Sequence, residues 1–183
     1  MNEIAIPSPL HDVLGKHQSG ASLVLIGGVA AVALLATAPA LVGIPVWRSA
    51  VAALLIADIA AGAVANLTAA TNDHYAARPR SRWIFLAVHV HLPVVALLLG
   101  APLEPALIAW AATIAAGAIV NLLAARAVQR AAGGAAFAVI LCLALTLPDQ
   151  QPALLVVSSL FAFKVVYAFA VDHGGHCRTG NDE

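Results

Sequence analysis

Charge is what this sequence has least of. Only 10% of its 183 residues are Asp, Glu, Lys or Arg, 62% are hydrophobic, and mean hydropathy is +0.93. A soluble domain carries about 25% charged residues. So few charges cannot clothe a water-soluble surface, so the composition points to a polytopic, all-α membrane protein forming a single domain over residues 1–183. Net charge is +0, which suggests no nucleic-acid partner. Two cysteines, Cys142 and Cys177, are too few and too far apart for a disulfide framework. No serine nucleophile elbow, P-loop, dinucleotide fingerprint or HExxH motif appears, and no cofactor follows from any motif. The first twenty residues lack the basic start of a cleavable signal.

Long apolar runs fill the chain instead. A helix needs about 20 apolar residues to cross a bilayer. Six such spans are expected, over residues 21–42, 47–70, 83–99, 104–125, 131–147 and 152–171. Gly43 and Pro45, Gly100 and Pro102, and Pro148 and Pro152 punctuate their ends. Arg78, Arg80 and Arg82 follow the second span, and Arg126 and Arg130 follow the fourth. The alternate connections near 100–104 and 148–152 hold no basic residue, and Arg48 is the one dissenter. The positive-inside rule then predicts both termini in the cytoplasm of a bacterial-type inner membrane or its equivalent. Residues 1–20 read as a cytoplasmic interfacial helix, with Ser8 as cap, Pro9 in the first turn, and Leu10, Val13 and Leu14 sharing a face with His17. Residues 172–183 form a cytoplasmic tail.

Two segments resemble each other. "IAAGAVANLTAA" (59–70) and "IAAGAIVNLLAA" (114–125) match at nine of twelve positions. Five matches are alanine, but Ile59/Ile114, Gly62/Gly117, Asn66/Asn121 and Leu67/Leu122 also stand in register. The pattern suggests parallel repeats of two helices. Small residues such as Ala57, Ala61, Ala65, Gly62 and Gly117 allow close helix packing in lipid, within one chain or between copies in a homo-oligomer.

Polar residues inside the spans are the functional candidates. Asp58 lies in the second span and Lys164 in the sixth. A charge at the bilayer centre costs about 2.5–3.5 kcal/mol on insertion scales, so opposite charges at similar depth should pair. Such a pair can serve as a coupling or proton-binding site, or simply fix helix register. His91 and Thr113 complete the expected mid-membrane site. On an unbroken helix His89 and His91 point to different faces, so at most one faces Asp58, and depth favours His91. Pro93 should free the carbonyl of His89 one turn earlier. A second group is expected at the cytoplasmic mouth: Asn66, Asn72, Asp73, His74, His89, Asn121, Asp172 and His173. The "DHGGHC" spacing of residues 172–177 matches no strong zinc pattern, so no metal is assigned. Arg78, Arg80 and Arg82 satisfy the topology rule and could meet anionic lipid headgroups.

Three functions fit these features. The first is a small-solute or proton-linked transporter using the mid-membrane site. The second is a membrane-embedded acid/base or metal-dependent enzyme acting on a lipid-like substrate through the mouth group. The third is a non-catalytic scaffold subunit using its Ala/Gly faces.

Overall fold

The computed structural model of the chain describes residues 3–8 and 11–174. Two short strands, β1 (Glu3–Ala5) and β2 (His17–Ser19), pair antiparallel with Ile4 opposite Gln18. Between them lies one helical turn, α1 (His11–Leu14). The apolar helices follow: α2 (Gly20–Leu41), α3 (Val46–Ala65), a short α4 (Ala69–Ala76), α5 (Pro79–Val88), α6 (His91–Leu99), α7 (Leu103–Leu122), α8 (Gln129–Thr146) and α9 (Pro152–Ala162). A π-helical segment, Phe163–Phe169, continues α9. Counting α5–α6 as one span and α9 with its continuation as another, six spans among the described residues are long and apolar enough to cross a membrane.

The sixth span is the axis of the bundle. α9 touches α2, α3, α6, α7 and α8, so it meets all five other spans. It is the most buried of the six. Ile56, Leu92, Val95, Leu154, Val157 and Phe161 fill the space around it and are fully buried. α2 lies at the periphery, with Val24, Val32 and Leu35 exposed as a lipid-facing helix requires.

Three boundaries depart from the hydropathy reading, each for a local reason. The second span stops at Ala65 rather than at residue 70. Thr68 ends it by donating to the Ala65 carbonyl (2.7 Å) and starts α4 by capping the Thr71 amide. The third span begins at Pro79, whose fixed φ suits a first helical turn, rather than at Trp83. It is also broken between Val88 and His91. Pro93 has no amide proton for the His89 carbonyl, and its ring crowds that oxygen. The expected free carbonyl is present, and Trp110 of α7 fills it, donating from Nε1 at 2.8 Å.

The first twenty residues do not form one surface helix. α1 is a single turn, and Gly15, at φ +71, packs against the backbone of Ala70. Any Cβ at Gly15 would fall 2.7 Å from the Ala70 carbonyl carbon. Gln18 reaches across to Thr68 (Nε2 to Oγ1, 2.8 Å). This segment is therefore docked on the junction of α3 and α4. Ser8 is described, whereas Pro9 and Leu10 lie outside the described residues. Arg48, the topological dissenter, donates from Nη2 to the Leu97 carbonyl and so satisfies the end of α6.

The Trp110 bond yields a stability prediction. Trp110→Phe keeps the ring but strands the His89 carbonyl, at a cost of about 1–3 kcal/mol. Denaturant unfolding of the detergent-solubilised variant, compared with wild type, measures this. An unchanged midpoint would remove Trp110 as the support of the break.

Candidate functional site

The break in the third span creates the site. α3 packs on α6, while α5 diverges from it, and between them opens a cavity of about 200 Å3. Its wall includes Asp58, Gly62 and Asn66 of α3, Tyr75 of α4, and Phe85 and His89 of α5. His91 of α6, Lys164 of the π-helical segment and Val13 of α1 complete it.

Asp58 and Lys164 form an ion pair at 2.7 Å, and the ammonium lies 3.4 Å from the Asp58 carbonyl oxygen. The lysine side chain is 4% exposed and the Asp58 side chain 33%, and both residues line the cavity. Gly62 makes this possible: the lysine stem crosses it, and a Cβ there would collide with Lys164 Cε. The π-helical winding carries Lys164. Such winding is rare and frequent at functional sites. Here its end is held from outside: Arg82 donates to the carbonyls of Phe169 (3.0 Å) and Ala170 (2.8 Å), and Gln129 donates to Ala170 (2.9 Å).

Both histidines line the cavity, contrary to the unbroken-helix expectation. The break at residues 89–90 turns His89 to the side of His91, with ring centroids 4.9 Å apart. His89 therefore belongs with Asp58 rather than with the mouth. Its Nδ1 donates to the Phe85 carbonyl at 2.6 Å. In the neutral ring this leaves Nε2 as a pure acceptor. His89 Nε2, His91 Nδ1 and Asn66 Nδ2 are all buried, with no hydrogen-bond partner among the described residues. Buried polar atoms are normally satisfied; these three belong to residues of the cavity wall, but the atoms themselves are closed off from it. Thr113 is buried on α7 and does not line this cavity.

An aromatic column closes the side nearest the loop arginines. Phe85 stacks on Phe169 (3.6 Å) and on His89 (3.6 Å), and Tyr75 meets Phe85 and Phe169 edge-on. Lys164 Nζ lies 5.9 Å from the Phe85 ring centre, and Arg82 lies 5.4 Å from that of Phe169. Asn66 and Tyr75 also line a second cavity of about 10 Å3, shared with Thr71, Asn72 and Arg82. That is roughly the space of one water.

Beyond it lies the polar end of the bundle. Asn72 Nδ2 donates to Asp172 (3.1 Å) and, at the longer distance of 3.4 Å, to Asp73, while its carbonyl oxygen accepts from the His173 amide (3.0 Å). Asp172 in turn receives the Gly174 amide (3.0 Å), and its own amide donates to Gln129 (3.1 Å). Asn72, Asp73, Asp172 and His173 therefore do meet. His74 turns away, to Arg78 (2.9 Å). Asn66 and Asn121 hold corresponding places at the ends of α3 and α7 but do different work. Asn66 lines the cavity, whereas Asn121 accepts from Arg82 Nε (2.7 Å). Arg82 is buried, while Arg78 and Arg80 are exposed. His176 and Cys177 lie outside the described residues. Among the described residues, no three His, Cys, Asp or Glu side chains gather closely enough to hold a metal ion.

Tyr75, Phe85 and Gln129 are not among the site residues expected from the sequence, and Arg82 is expected as a topology signal and a contact for anionic lipid headgroups. Gln129 gave a usable hint, being an uncharged polar residue at the start of an apolar run. The aromatic column gave none, because its members come from three separate elements.

Compared with family models, curated proteins and solved structures, the chain has no match. The six apolar spans are compatible with the class of multi-pass membrane proteins.

Two predictions follow from this geometry. Asp58→Asn strands a buried ammonium and should cost on the order of 3 kcal/mol. Lys164→Met added to it should restore part of that loss, read as an unfolding midpoint in detergent. Additive losses would mean that the two residues act separately. The second concerns His173. Burial holds its pKa below the ordinary 6.5, with Arg130 acting the same way against the carbonyls of Tyr167 and Ala168 and the Asp172 carboxylate. As pH falls below 6.5 the unfolded chain takes up a proton that the folded turn resists, so the turn loses stability. Amide exchange at residues 172–174, corrected for its intrinsic pH dependence, should quicken between about pH 7 and about pH 5. In His173→Gln that dependence should flatten.

Proposed function

We propose that this chain is a small proton-linked transporter whose binding site is the Asp58–Lys164 cavity. One observation carries the reading: Asp58, Lys164, His89, His91 and Asn66 converge on one cavity, with three of its buried nitrogens unpartnered. Intramembrane ionisable groups facing a bundle interior are functional candidates by default. Beyond the cavity, on the side away from the loop arginines, Ile56, Leu92, Val95 and Phe161 form a buried apolar cluster. On the other side, Asn66, Tyr75, Thr71 and Asn72 lead to the polar end. This asymmetry suits a carrier closed on both sides, with the polar end, behind Tyr75, Phe85 and Phe169, as the side that opens. The loop arginines support placing the accessible side in the cytoplasm.

The enzyme reading needs the mouth residues and His89 beside one lipid-accessible groove. His89 instead faces Asp58, and Asp172 is tied into the closure made by Asn72 and Gln129. The scaffold reading needs small-residue faces left outward. Gly62 lies under Lys164 and Gly117 sits against Val165 and Leu86, inside the bundle, whereas Gly27 and Gly28 of α2 face outward, so α2 is the face such a reading would use.

The test is coupled flux. The full chain is reconstituted in vesicles containing a trapped pH indicator. Outward gradients of n-propylammonium, acetate and urea are imposed in turn. At least one should drive proton movement above that of protein-free vesicles, and Asp58→Asn should return it to background. Background flux with all three, from protein shown to be folded, would overturn the reading.

A further inference from the structure

The chemistry of the cavity wall identifies a substrate class, an inference that rests on the carrier reading. Lys164 Nζ occupies a nest made by the Asp58 carboxylate at 2.7 Å, the Asp58 carbonyl at 3.4 Å and the Phe85 ring at 5.9 Å. A carboxylate, a carbonyl and an aromatic face are what an alkylammonium ion needs once it leaves water. The chain fills this subsite with its own amine. Next to it, His89 Nε2 is a buried acceptor without a partner, since Nδ1 spends its proton on Phe85. A ligand that satisfies Nε2 must bring an N–H or O–H donor.

We propose that the cavity binds a small primary or secondary ammonium ion, which displaces Lys164 from Asp58. The donor set excludes the obvious competitors. Alkali and alkaline-earth ions prefer shells of oxygen, and two imidazoles serve them poorly. An anion finds the lysine already neutralised by Asp58. A quaternary ammonium has no N–H for His89. A volume of about 200 Å3 limits the ligand, or its inserted head, to a few heavy atoms.

The exposures set the order of events. The Asp58 side chain is the more accessible partner, at 33% against 4% for the lysine, so an entering ammonium meets Asp58 first. It donates one N–H to Asp58, and His89 Nε2, which is closed off in this structure, accepts a second only when the ring turns toward the cavity. Lys164 then loses one proton to water at the polar end. The N–H bond breaks, the electron pair stays on nitrogen, and a neutral amine lies back across Gly62. One cation enters and one proton leaves, so the charge of the cavity is conserved. The step is an exchange of ammonium ion for proton.

Two sources share this chemistry, a free amine and the ethanolamine headgroup of a lipid. The experiment uses the full chain in nanodiscs of phosphatidylcholine, which lacks an ammonium N–H. n-Propylammonium chloride is added in weak buffer with a pH indicator. The expected result is saturable release of about one proton per chain, with thermal stabilisation of the protein. Tetramethylammonium, Na+, acetate and urea should give neither. A lysine that holds the subsite for all but a tenth of the time weakens apparent binding about tenfold. Lys164→Met should therefore bind n-propylammonium about tenfold more tightly and release no proton. Replacing part of the lipid with phosphatidylethanolamine distinguishes the sources. Weaker n-propylammonium binding assigns the site to the headgroup, and unchanged binding assigns it to a free amine.

Equal responses to n-propylammonium and tetramethylammonium would overturn the proposal. So would binding without proton release in wild type. If acetate or urea alone binds and drives flux, the ammonium proposal falls while the carrier reading stands. The wild-type comparison decides the matter even if Lys164→Met does not fold.

Discussion

The structure depends on one fact of membrane energetics: a carboxylate and an ammonium buried among apolar helices must find each other. Asp58 and Lys164 do so at 2.7 Å. Their neighbourhood can be read as the set of local concessions that make the pair reachable. Gly62 has no side chain, so the lysine stem can cross α3. The sixth span winds into a π-helix where it carries Lys164. The third span breaks at His89 and Val90, opening the space that the carboxylate faces. Each concession is unfavourable in isolation, because it removes packing or intrahelical hydrogen bonds.

Each concession also has its own repair. Trp110 fills the carbonyl freed by Pro93. Arg82 and Gln129 hold the carbonyls at the end of the π-helical segment, and Asn121 holds Arg82. Asn72 and Asp172 then close the same end of the bundle. These repairs satisfy backbone groups, whereas the cavity wall is left with three buried nitrogens open. That contrast separates the two polar regions. The end network is hydrogen-bonded across α4, α8 and the turn after the sixth span, and the Asp58 cavity has buried nitrogens without a hydrogen-bond partner among the described residues. The aromatic column of Tyr75, Phe85 and Phe169 lies between them, with a cation near each end.

Sequence reasoning found the pieces of this site more readily than their grouping. Asp58 and Lys164 were legible because a lone charge in an apolar span is costly enough to demand a partner. The freed His89 carbonyl was legible because the effect of proline is local. The grouping of His89 with His91 was not, since it depends on how far the chain turns at a break only two residues long. Arg82 was misread for a related reason. Topology alone accounts for an arginine in a short loop, and only the fold reveals that this one turns inward to meet carbonyls 87 and 88 residues later.

The sequence by itself determined the class, the six spans and the need for an intramembrane ion pair. These follow from hydropathy and charge, which are summed over contiguous residues and need no knowledge of the rest of the fold. The tertiary structure alone decided which polar residues share a cavity, which arginine is structural, and that residues 11–18 dock on α4 instead of lying as a free helix. Those outcomes depend on the angle of a helix break, the winding of the sixth span and the side from which α7 offers Trp110. They are relations between distant segments, and no local pattern encodes them.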